Sequence, residues 1–183
     1  LQGASSIAVR QPCVHWSDTK ALFSMVVGAP ATSGASQPFY WQIYEVTNIG
    51  EQQTPVVTKI ANQPANYNNV SPIYGTDGRI IFTSDRPRNG LTHLYPLLDE
   101  YRAAVSTSGL WSLDASTGNL IQLNDIPSGC FSPLIDSYGP LIFTRWDNLQ
   151  CDGNAGKASL GTGNEGTFSS ADESANATNK GSR

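Results

Sequence analysis

Apolar residues in this chain fall in short runs separated by Gly, Pro, Asn, Asp and Ser. Runs of that length, bounded by turn residues, predict strands over 22–27, 42–46, 54–60, 80–83, 110–114, 119–123 and 141–144. Ala115 to Gly118 supplies a turn between two of them. Ile80-Ile81-Phe82 and Leu141-Ile142-Phe143 are apolar without alternation, so these two strands are expected to be covered on both faces.

The runs repeat. Pro12, Pro72 and Pro133 stand 60 and 61 residues apart, and each lies near the end of an extended stretch that is followed by a Gly/Asp/Ser turn and then by an apolar strand that contains Phe23, Phe82 or Phe143. After the first two of these strands come two more, Gln42 to Val46 with Thr54 to Ile60, and Leu110 to Asp114 with Asn119 to Leu123. Four short strands per unit describe one sheet per repeat, the pattern of a propeller. Stacked sheets would cover both faces of the central strands. The fold class is therefore all-β, a β-propeller segment of about two and a half four-stranded blades, with units at 9–68, 69–129 and a partial 130–150. Since such rings close with about 4 to 8 blades, the segment cannot close by itself.

Ser71-Pro72 with Asp77-Gly78-Arg79-Ile80-Ile81-Phe82-Thr83-Ser84-Asp85-Arg86 resembles the repeat of TolB-type β-propellers, and Ser132-Pro133 with Leu141 to Asp147 is a looser copy. Phe143-Thr144-Arg145-Trp146 is similar, more faintly, to propeller domains of the hydrazine synthase alpha-subunit kind. The first resemblance implies a mostly bacterial, extracytoplasmic fold used for binding, scaffolding or catalysis, and hence a periplasmic or secreted location. The haem-attachment motif that the second would require is missing from the chain.

Composition narrows the function. Charged residues make up only 14% of the chain and the net charge is -4, which argues against a nucleic-acid binder acting through a basic face. No apolar run reaches the ~18 residues needed to span a membrane as a helix. A chain starting at Leu1 without a Met or an apolar leader is expected to be processed or truncated. Cys13, Cys130 and Cys151 allow three alternative single disulfides. Residues 151–183 hold six Gly, with Leu160 and Phe168 as their only large apolar residues, and read as a tail or as a long loop between strands of the unfinished blade.

Candidate chemistry concentrates between the second and third strands of the second unit. There the chain spends Asp85 to Gly109 on a stretch that a minimal blade does not need. Arg86, Arg88, His93, Asp99, Glu100, Tyr101 and Arg102 lie in it. The arginines suit a carboxylate or phosphate and the tyrosine supplies flat contact area. The competing reading has Asp85 and Arg86 serving backbone turns while the insert packs over a neighbouring blade. Propeller connectivity puts the insert at the same end as Ala61 to Asn69 and Asp125 to Gly129. No G-x-S-x-G, P-loop, H-E-x-x-H or C-x-x-C motif occurs. Asp147, Asp152 and Asn154 lack the spacing of a calcium loop. No catalytic residue, metal or cofactor is therefore assigned. The expected function is non-catalytic binding or scaffolding, with the remainder of the propeller or another protein chain as partner. The alternative is a redox or hydrolase enzyme's propeller whose active-site residues lie elsewhere.

Overall fold

A computed structural model describes residues 6–29, 39–86, 108–124 and 129–145. These form ten strands and no helix. The first sheet has the order β1 (Ile7–Val14), β2 (Lys20–Val27), β3 (Gln42–Thr47), β4 (Val56–Lys59). The second follows as β5 (Asn69–Tyr74), β6 (Ile80–Ser84), β7 (Gly109–Leu113), β8 (Leu120–Gln122). The third consists of β9 (Cys130–Ile135) paired with β10 (Leu141–Arg145). All pairings are antiparallel between chain neighbours. Phe23, Phe82 and Phe143 occupy β2, β6 and β10, the second strand of each sheet. Consecutive sheets stack: β5 packs on β1, β2 and β3, and β9 on β5, β6 and β7. The described residues form no closed ring.

The stacking follows from the apolar pattern. Leu22 and Ile43 from the first sheet meet Tyr74, Ile80, Phe82, Trp111 and Leu113 from the second in one buried cluster. All five residues of β6 are buried, as its unbroken apolar run requires. The matching run in β10 differs from expectation, because Ile142 is 48% exposed and its cross-strand partner Leu134 is 49% exposed. The reason is geometric: one face of β9–β10 lies against the second sheet and nothing described lies against the other. The first sheet ends the stack in the same way. Ile7, Val9 and Val27 are exposed on the face where Ile7 pairs with Val27 and Val9 with Met25.

The repeated Pro marks a different local structure from the strand end suggested by sequence. Each inner strand continues two residues beyond it, to Val14, Tyr74 and Ile135. Proline has no N–H to give a ladder and in sheets is found at edges or bulges. Here the register slips between Arg10 and Cys13, between Val70 and Ile73, and between Ile142 and Thr144 opposite Ser132-Pro133. The residue before each Pro takes a left-handed conformation, with φ of 55° at Gln11, 51° at Ser71 and 54° at Ser132. Side-chain-bearing residues seldom adopt it, so its recurrence at one place in three sheets identifies a built bulge. Arg79, next in the Asp77-Gly78-Arg79 turn, fastens the second sheet: Nε donates to Ser112 Oγ at 2.7 Å, and Nη2 to the Ser112 and Asn119 carbonyls at 2.8 Å each.

Candidate functional site

One end of the sheets carries the polar network from which the insert departs. The end of β6 and the start of β5 are tied there by Asn68, whose backbone N–H and Nδ2 donate to Asp85 Oδ1 and Oδ2 at 2.7 Å each. The Trp41 N–H, just before β3, donates to Asn68 Oδ1 at 3.1 Å. This chain of bonds joins the first sheet to the second. The root of the insert is fixed on its other side by the Cys130 N–H, which donates to the Ser108 carbonyl at 2.8 Å. The described ends of the insert therefore stand beside the 61–69 segment and Gly129, as connectivity predicts.

Beneath these connections Asn69 and Gln63 are tightly paired. Asn69 is fully buried; its Nδ2 donates to the Pro64 carbonyl at 2.7 Å and its Oδ1 accepts from Ser84 Oγ at 2.8 Å. Gln63 spans Ile43, accepting from its N–H at 2.7 Å and donating to its carbonyl at 2.9 Å. Buried polar groups that keep their partners hold a segment in one arrangement. A rigid floor results.

Two clefts open on this floor. The first, of about 360 Å³, is lined by Arg10, Phe39, Trp41, Asn68, Val70, Thr83, Asp85 and Ser108. In it the Arg10 guanidinium lies 4.7 Å from the centre of the Trp41 ring, and Arg10 Nε donates to Gln11 Oε1 at 3.0 Å. The second, of about 550 Å³, includes Asn62, Tyr67, Arg86 and Asn119 in its lining. The Arg86 guanidinium sits 4.9 Å from the centre of the Trp111 ring. Such contacts hold a cation by the ring's negative face and leave its N–H edge available. A third, smaller cleft of about 190 Å³ runs along the bulges, between Gln11-Pro12, Ser71-Pro72 and Ser132-Pro133.

Of the residues that sequence singled out, Arg86 stands on the second cleft. Arg88, His93, Asp99, Glu100, Tyr101 and Arg102 lie outside the described residues, as do Cys151, Asp147, Asp152 and Asn154. Asp85 serves the backbone turn at Asn68. Cys13 and Cys130 are not bridged to each other, and Cys130 Sγ accepts from Asn124 Nδ2 at 2.7 Å. Sequence reasoning passed over Arg10, Phe39 and Trp41. Their one signal was position, since Arg10 immediately precedes the bulge and Trp41 immediately precedes a third strand. No group of three or more metal-ligating side chains occurs among the described residues.

Stacked antiparallel sheets with bulged strands lining a common cleft define a propeller segment. No family model matches the chain, and no curated protein does. Among solved structures it is similar to hydrazine synthase of Kuenenia stuttgartiensis, a propeller-containing protein, with a TM-score of 0.51 and 16% identity over 78% of this chain. At that identity the likeness shows the fold alone. The chain spans 22% of the length of that protein's chain.

Proposed function

We propose that the chain is a non-catalytic binding or scaffolding segment of a larger β-propeller, with TolB-type repeats and an extracytoplasmic location. The observation that carries the reading is the pair of open faces at the two ends of the stack. Ile7, Val9 and Val27 on one, and Leu134 and Ile142 on the other, occupy places that the packing between the first and second sheets would bury. Exposed apolar sheet faces mark interaction surfaces, and a further blade of the same kind continues the interface already present. The rest of the propeller, in the same polypeptide or another, is the partner these faces fit.

The contact surface for a separate partner is the strand-end face that carries the insert. Arg86 supports this, since it is held over Trp111 at the edge of a cleft with amide and tyrosine walls. In a triple variant, Arg86→Lys with Arg88→Ala and Arg102→Ala, the lysine keeps a cation on Trp111 while the guanidinium forks are lost. If the insert grips an anionic partner, co-purification of that partner falls and the melting temperature stays. Each lost charge-assisted contact should weaken binding by about 1.5–3 kcal/mol. A lowered melting temperature with undiminished co-purification would instead make the insert a structural clamp and retire the partner-binding reading.

A further inference from the structure

The cleft of about 360 Å³ has opposite charges on its walls that do not meet. Arg10 and Asp85 both line it, yet the one ion pair among the described residues joins Lys20 to Glu45 at 3.0 Å. Each charge is kept in place by its own neighbours. The Arg10 guanidinium is stacked on Trp41, with Nε committed to Gln11 Oε1. Both carboxylate oxygens of Asp85 are anchored by Asn68. A guanidinium carries five donors and a carboxylate accepts about four hydrogen bonds. Among the described residues, the terminal N–H groups of Arg10 and half the accepting capacity of Asp85 thus have no partner. Thr83, on the same wall, buries an Oγ1 with no hydrogen-bond partner among the described residues. Phe39, Trp41 and Val70 give the remaining wall an apolar character.

A site with a fixed cation, a fixed anion and an apolar flank is complementary to a molecule with the reverse arrangement. We infer that this cleft binds an α-amino acid or similar small amino-carboxylate with an apolar side chain. Its carboxylate would lie on the Arg10 fork, its ammonium on Asp85, and its side chain against Phe39 and Trp41. The volume is in the ~300–1,000 Å³ range of small-molecule sites. Holding both charges in place before the ligand arrives lowers the ordering cost of binding. The inference does not depend on the insert contacting a protein partner.

The probes are L-leucine and L-phenylalanine, each compared with its deaminated acid and its decarboxylated amine. They are titrated calorimetrically into the whole polypeptide in which these residues are expressed. At least one amino acid should bind saturably at one site. Removal of either its ammonium or its carboxylate should weaken binding about tenfold or more. Arg10 is exposed on the strand, so Arg10→Ala should leave the melt unchanged and abolish the preference for the carboxylate-bearing ligands. Arg10→Lys should fall between the two because it keeps the charge and loses the fork. Absence of saturable binding by both amino acids, analogues that bind as tightly as the parent, or an Arg10→Ala variant with unchanged affinity would each overturn the inference.

Discussion

Gln11 Oε1 accepts the backbone N–H of Ser71 at 2.9 Å, which links the bulge of the first sheet to the bulge of the second. The two residues stand at the same place in successive repeats, each before a Pro and each in a left-handed conformation. In the second and third sheets a Ser fills the place that Gln11 has in the first. The longer amide can span the gap between inner strands. It also accepts from Arg10 Nε, so one oxygen supports both the junction between sheets and the cation of the neighbouring cleft.

Gln11→Ala removes that acceptor and leaves the N–H of a buried residue, Ser71, without it. The loss should cost about 1–3 kcal/mol in a denaturant titration of the cooperatively folded polypeptide. Gln11→Glu, which keeps an acceptor at the same reach, should recover most of it. Indistinguishable midpoints for the wild type and Gln11→Ala would show that the bond does not join the sheets.

Phe82 is fully buried between the first two sheets. Phe82→Ala should destabilise by about 3–5 kcal/mol. Leu134 gives the more informative comparison, since it is 49% exposed in this segment. If a further blade covers it in the complete molecule, Leu134→Ala there should cost about 2 kcal/mol or more. An exposed position would give a change within about 0.5 kcal/mol.

Much of the architecture was legible because a repeated sequence forces a repeated structure. The offsets of Phe23, Phe82 and Phe143 from their prolines, 11, 10 and 10 residues, placed all three in equivalent strands. The unbroken run at 80–82 announced burial on both faces. The identical pattern at 141–143 carried the same message, but a strand's sequence records the environment it is built for, and the sheet that would cover Ile142 is not among the described residues. Pro looked like a strand terminator because a missing N–H ordinarily ends a ladder. The bulge evades that constraint, and no residue type advertised it, since Gln and Ser are unusual choices for a positive φ. The Arg10–Trp41 cleft was illegible for another reason. Its walls come from five separate stretches, and only the stacking of two sheets assembles them.

Asp114 offers a local test of the turn between β7 and β8. Its Oδ1 accepts from the Ser116 N–H at 2.9 Å, from Ser116 Oγ at 2.6 Å and from the Thr117 N–H at 3.3 Å. These bonds, chiefly those from Ser116 and Thr117 to the charged carboxylate, lower its pKa from 3.8 to about 2. A depressed folded-state value means that the turn's stabilisation is complete above the unfolded pKa and is lost as pH falls from about 4 to about 2. Carboxyl chemical shifts should titrate with a midpoint near 2, and Asp114→Asn should flatten the pH dependence of stability in that window. A midpoint at the ordinary value of 3.8 would mean that the turn does not hold the charged form.

The central claim is that these residues are part of a ring that needs more blades, and the isolated 183-residue chain tests it most directly. Two apolar sheet faces left open should seek partners. Light scattering coupled to size exclusion should therefore find aggregates or a polydisperse population, and heating should give a broad transition. A monodisperse monomer of 19.6 kDa with a sharp cooperative melt would show that the segment is self-sufficient, and would contradict the account.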